Sequence, residues 1–120
     1  MAIIKMYGIK NCDTVSKARK WLKQSNIEYI FHDIRSDQFN KGALKKWLRT
    51  LKFEAIINKR SATWRGLSIK TQEDFLGTKN TDLLLELPII IKRPILDVDD
   101  IIYIGFTVDK YKAIFSSKIL

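Results

Sequence analysis

The chain has 120 residues and a formal net charge of +9, with 46% hydrophobic and 29% charged side chains. That balance suits one globular domain with its own core, and with only five Gly and two Pro it excludes disordered, collagen-like and low-complexity sequence. A single cysteine excludes an internal disulfide, and one Cys with one His excludes a His/Cys zinc site within the chain.

The first segment, Ile3-Ile4-Lys5-Met6-Tyr7 before Gly8, is short and β-rich and reads as a buried strand rather than a signal peptide. Asn11-Cys12-Asp13-Thr14 leads into a helix whose Val15, Ala18, Trp21 and Leu22 share one face, with Asp13 or Thr14 as its cap and Asn26 as its end. Residues 27–34 read as a second strand, so the chain opens β-α-β with a helix long enough for a parallel crossover. A second helix is expected over 42–51, with Leu44, Trp47, Leu48 and Leu51 as its stripe, and a short one over 53–57. The stretch 58–61 reads as a loop and 64–67 is ambiguous. Thr71 to Leu76 suggests a helix capped by Thr71 and stopped by Gly77, and residues 80–87 suggest another. Residues 89–106 read as an antiparallel hairpin, interrupted at Lys92-Arg93-Pro94 and turning at Asp99-Asp100. A last helix is expected over 108–117, with a tail that frays. One α/β domain is the economical reading. The longest apolar stretch, Leu87 to Ile91, is too short to span a bilayer.

The positive charge favours an anionic partner: nucleic acid, phosphate, an oxyanion, an acidic protein or glutathione. A merely solvated basic surface is the alternative, because runs such as Lys45-Lys46 and Lys92-Arg93 stop at two. Nucleic acid is not the expected partner. Lys59 to Arg65 interleaves basic residues with Trp64, but no RNP, KH, zinc-finger or helix-turn-helix pattern accompanies it.

Two positions offer chemistry. Cys12 follows a strand and precedes a helix, where backbone N–H groups and the helix dipole stabilise negative charge, and the thiolate is the nucleophilic form of cysteine. Lys10 pushes the same way and Asp13 opposes it. The other reading, a small buried hydrophobe, sits badly with its turn-forming neighbours Asn11, Asp13 and Thr14. Arg93-Pro94 lies between apolar segments, where proline is uncommon. It is either an edge-strand kink with a solvated arginine or a turn that presents a bidentate anion donor. His32, the only histidine, reads as structural or surface, and Trp21, Trp47 and Trp64 as packing.

The strand, then Gly8-Ile9-Lys10-Asn11-Cys12-Asp13-Thr14, a basic helix and Phe31-His32-Asp33, resembles the arsenate-reductase/Spx family, and within it the small bacterial YffB-like branch. Asn58 to Arg65 and Pro88 to Ile95 match in the same order, so the resemblance covers almost the whole chain. It implies a thioredoxin-like fold in one domain, 1–120, with a helical insertion at about 40–87. It implies that Pro94 is a structural cis-proline facing the thiol, that Arg93 points into the site beside Cys12, and that Arg60 is a second basic group there. Cys12 is then the catalytic nucleophile, with Arg93, Arg60, Lys10 and Asn11 binding the substrate or its anion. The Spx regulators carry a C-x-x-C pair, but here Val15 stands at the second position, so no redox switch within the chain is possible. The arsenate reductases resemble C-G-T-S and present three arginines. Here Asp13-Thr14-Val15 and Ile104-Gly105-Phe106 stand instead, which points to thiol–disulfide chemistry rather than arsenate. A lone thiol needs an external resolving thiol. Glutathione, another low-molecular-weight thiol or a glutaredoxin-type partner is expected as co-substrate, with no bound cofactor and no metal. The expected protein is a cytoplasmic monomer without a membrane partner, and RNA polymerase is the partner under the alternative, Spx-like reading.

Overall fold

The computed structural model describes residues 3–36, 39–79 and 81–116. The chain divides into two compact units, one formed by residues 1–33 and 93–120 and the other by Ile34–Lys92.

In the first unit, β1 (Ile4–Gly8) leads to α1 (Asp13–Gln24) and back to β2 (Ile30–Asp33), which pairs parallel with β1. After residue 92 the chain returns as β3 (Ile95–Val98) and β4 (Ile101–Ile104), then α6 (Val108–Ser116). The sheet order is β2-β1-β3-β4, with β3 antiparallel to both of its neighbours. Period-two alternation puts Ile4 and Met6 of β1 and Leu96 and Val98 of β3 on one face, in register as Ile4↔Val98 and Met6↔Leu96. Val15, Ala18 and Leu22 of α1 and Tyr111, Ile114 and Phe115 of α6 complete the same cluster.

The expected end of α1 at Asn26 has a clear cause. Asn26 adopts φ 56°, its N–H donates to Lys23 O at 3.1 Å, and the next N–H, of Ile27, donates to Leu22 O at 3.0 Å. This is a Schellman cap with asparagine in the left-handed position. The second strand is shorter than expected, because the chain spends 27–29 leaving that cap.

The β3–β4 turn is Asp99-Asp100, with Val98 opposite Ile101. Both aspartates have positive φ, 49° and 73°, as a two-residue type I′ turn demands. Buried Asp97 accepts a hydrogen bond from Asp100 N–H at 2.8 Å, and Asp99 Oδ1 accepts one from Ile3 N–H at 2.7 Å. The double change Asp99→Asn, Asp100→Gly keeps both acceptors and gives the positive-φ positions residues that tolerate them. It is expected to raise stability by about 1 kcal/mol, read as a higher urea midpoint at unchanged slope. An unchanged or lower midpoint counts against the turn assignment.

The second unit is built from α2 (Lys41–Trp47), a 3₁₀ turn at Phe53–Ile56, α3 (Ala62–Gly66), α4 (Ile69–Thr78), α5 (Thr81–Glu86) and a 3₁₀ turn at Pro88–Ile90. Asn40, Ser61 and Ser68 cap α2, α3 and α4, each side chain accepting a backbone N–H at 3.1 Å. Phe75 packs against Phe53 and Trp64, with ring centroids 5.5 and 5.6 Å apart. Gln72 Nε2 donates to the Trp64 and Leu67 carbonyls, satisfying the end of α3.

Several expected boundaries move. The cap of α4 is Ser68, three residues before Thr71, and the helix runs through Gly77 to Lys79, which closes it in the left-handed conformation. The expected strand at Pro88–Ile91 is instead a 3₁₀ turn followed by one isolated bridge, Ile57↔Ile91, so the hairpin begins only at Ile95. Proline at the first position of that turn has no N–H to give a ladder. The tail 117–120 lies outside the described residues. Among the described residues no helix is long and apolar enough to cross a membrane.

Candidate functional site

β1 ends at Gly8, a position where no larger residue fits. A Cβ built there meets Val15 Cγ2 at 2.8 Å and Cγ1 at 3.1 Å, so strand and helix touch at this point. The chain then turns through Ile9–Cys12, closed by Cys12 N–H donating to Ile9 O at 3.2 Å. Cys12 is extended (φ −97°, ψ 127°) and is itself the N-cap residue of α1, with Ser16 N–H donating to its carbonyl at 2.9 Å. The expected cap at Asp13 or Thr14 is therefore corrected by one or two positions. The turn places the extended residue at 12, and Asp13 already belongs to the first helical turn. The Cys12 thiol is free and half-buried, and it packs against the cluster formed by the sheet, α1 and α6. The Asp13 carboxylate, which opposes a neighbouring thiolate, is exposed and ion-paired to Lys17 at 3.2 Å. Lys10 and Asn11 are exposed on the turn.

The Arg93–Pro94 peptide bond is cis. Arg93 is half-buried and Pro94 buried. Pro94 lies one residue before β3, an interior strand, so the edge-strand kink does not apply. Its carbonyl accepts the Gly105 N–H at 2.8 Å, and Gly105 has φ 81°, a left-handed backbone that favours glycine.

Topology brings these pieces to one end of the sheet. Tyr7 pairs with Ile95, and Ile95 with Ile104. Gly8, Pro94 and Gly105 therefore leave their strands at the same end, with the Cys12 turn following the first of them and Arg93 preceding the second. Arg60 belongs to the Ile34–Lys92 unit. It is exposed in the turn before α3, and its N–H donates to Asn58 Oδ1 at 3.1 Å. His32 stacks on Tyr7 at 4.9 Å and serves packing, as its place in a strand suggested.

Two features escaped the sequence reading. Gly8 stands in the motif, but the close approach that requires glycine depends on Val15, seven residues away. Arg19, read only as part of a polar face, folds over β2. Its guanidinium lies 4.1 Å from the Phe31 ring centroid, and its Nε donates to Tyr29 Oη at 2.9 Å. Spacing within α1 carries no signal for either contact.

Comparison with known proteins fits this architecture. A protein named YFFB has a solved structure that superposes with a TM-score of 0.83 at 34% identity, covering 92% of this chain and 96% of that one. An uncharacterized protein of Haemophilus influenzae is 41% identical over 114 residues, which is 95% of this chain and 100% of that protein. The global transcriptional regulator Spx 2 of Bacillus cereus is 32% identical over 109 residues, 89% of this chain and 82% of that protein. The fold is thioredoxin-like, with helices inserted between β2 and β3. Residues 7–114 match the ArsC family, and the chain belongs to it.

Proposed function

We propose that the protein is a monothiol oxidoreductase that uses Cys12 as its nucleophile and an external thiol to complete the cycle. The observation that carries this reading is the position of the one cysteine. It caps α1, half-buried, at the sheet end that Arg93 and Pro94 also reach. In the first step the Cys12 thiolate attacks one sulfur of a disulfide. A Cys12–sulfur bond forms, the old sulfur–sulfur bond breaks, and the second sulfur leaves as a thiolate. In the second step the thiolate of glutathione or another small thiol, or of a glutaredoxin-type partner, attacks the adduct, frees Cys12 and carries away the new disulfide. Arg93, with Lys10 and Asn11, holds the anionic part of the substrate, and Arg93 steadies the leaving thiolate. An oxyanion adduct on the same sulfur is the arsenate form of this chemistry. With Asp13-Thr14-Val15 after the cysteine, the disulfide form fits the residues better. A reducing cytoplasm supplies the thiol that this scheme requires.

The test is mass spectrometry of the protein incubated with oxidised glutathione. A mixed disulfide is expected on the native chain and none on Cys12→Ser. On Arg93→Ala it should form about tenfold more slowly, a barrier change of about 1.4 kcal/mol. Equal rates for the native chain and Arg93→Ala would retire the anion-holding role, and no adduct on the native chain would retire the enzyme. The likeness to the Bacillus cereus regulator favours a second reading, a transcriptional regulator that binds RNA polymerase without a redox switch. Capture of polymerase by the native chain and by Cys12→Ser alike would favour it.

A further inference from the structure

The second unit carries a groove of about 500 Å³ between the end of α2, the 3₁₀ turn after it and the end of α4. Its volume falls within the range of about 300–1,000 Å³ usual for binding clefts. Leu48, Leu51, Phe53 and Leu76 form its apolar wall, and Lys52 and Lys79 stand along it. The three leucines are half-buried, so they keep apolar surface open to solvent. Lys45 and Arg49 are exposed cations of the same unit outside the lining. They lie four residues apart on the exposed side of α2 and the turn after it, with Lys52 three residues further on. None of these four cations is in an ion pair among the described residues. The one acidic side chain in the lining, Glu54, is already paired with Lys59, which holds its carboxyl below the usual carboxylate range. Glu73 and Asp74 lie on α4 outside the lining. The segment Ile34–Lys92 as a whole carries twice as many basic as acidic side chains.

We propose that this groove docks an acidic amphipathic helix of a partner protein. Leucine-type side chains of the partner fill the apolar wall, and its carboxylates meet Lys52 and Lys79, with Lys45 and Arg49 adding to the positive charge of the unit. The charge selects an anionic partner and the leucines require an apolar stripe, which is the helix-in-groove mode of recognition. Nucleic acid fits less well. The aromatic rings of this unit, Phe39, Trp47, Phe53, Trp64 and Phe75, are buried and leave none open to stack on bases.

The test uses fluorescence anisotropy with the full chain and a labelled synthetic peptide that places leucine at i, i+3 and i+7 and glutamate between them. Two controls are a scrambled peptide of the same composition and a single-stranded oligodeoxynucleotide of similar length. The patterned peptide is expected to bind at least tenfold tighter than the scrambled one. Binding should weaken at least tenfold on Lys52→Glu/Lys79→Glu, two exposed changes that leave the core intact, and about tenfold on Leu76→Ser, with folding checked by circular dichroism. Equal binding of patterned and scrambled peptides, no anisotropy change with the protein in large excess over the labelled peptide, or displacement of the peptide by the oligonucleotide would each overturn the proposal.

Discussion

Gly8→Ala is expected to destabilise the protein by about 1–3 kcal/mol and to change the rate at which Cys12 reacts with iodoacetamide. The new Cβ would stand 2.8 Å from Val15 Cγ2, 3.1 Å from Cγ1 and 3.6 Å from Phe31 Cε1. Val15 is fully buried and β-branched, so its methyls cannot rotate out of the way and the first turn of α1 must move. That turn begins immediately after Cys12, so a shift forced at Val15 displaces the residue that caps the helix. The companion change Val15→Ala removes the two methyls at fault. It costs stability on its own by opening a cavity, but in the double variant the alanine methyl at position 8 occupies part of that space. The two changes should therefore couple, with the double variant more stable than the sum of the singles predicts by about 0.5–2 kcal/mol. Additive losses in urea unfolding would show that the strand and the helix do not meet as described. Alkylation unchanged in Gly8→Ala would show that the fit serves stability alone.

How far the sequence announces this site depends on the range of each signal. The start of α1 is legible because Asp13-Thr14 and the spacing of Val15, Ala18 and Leu22 are local. So is its end, where Asn26 is one of the few residues that accept a left-handed backbone. The Asp99-Asp100 turn is legible for the same reason. What fails is anything decided by the backbone around a residue rather than by its type. Pro88-Ile89-Ile90-Ile91 has the composition of a strand, yet only Ile91 finds a bridge partner, Ile57, and the rest closes into a 3₁₀ turn. Gly77 reads as a helix stop, but Lys79 supplies the left-handed residue and α4 continues to it. The choice of Cys12 over Asp13 as the cap depends on the turn that precedes it. Sequence identifies aspartate as the better capping side chain and cannot see that the backbone is already helical there. The resemblance carried the fold class across these local failures because its matching segments keep the same order along the whole chain.

Tyr111→Phe is expected to stabilise the protein by about 1–2 kcal/mol near neutral pH, and by more as the solution is made alkaline. The Tyr111 side chain is fully buried between Trp21, Phe106 and Phe115, and its hydroxyl has no hydrogen-bond partner among the described residues. An unmet buried hydroxyl carries its full desolvation cost, and phenylalanine keeps the ring contacts without it. Burial, and secondly the nearby Tyr29, raises the ionisation of this phenol well above its ordinary value of 10.0. The consequence for stability follows from which state releases the proton. Below pH 10 both folded and unfolded chains keep it, and Tyr111 adds no pH dependence. Above pH 10 the unfolded chain loses it while the folded chain holds it, so folding is penalised by up to about 1.4 kcal/mol per pH unit from this group. Phenylalanine has no proton to release, so the variant escapes that penalty while every other tyrosine and lysine titrates as before. Urea unfolding of both proteins at pH 7, 9, 10 and 11 should show a constant gap up to about pH 9 that widens beyond it. Parallel curves across the whole range would mean that the hydroxyl reaches water or a partner in solution, and a variant less stable at pH 7 would mean that the hydroxyl is bonded after all.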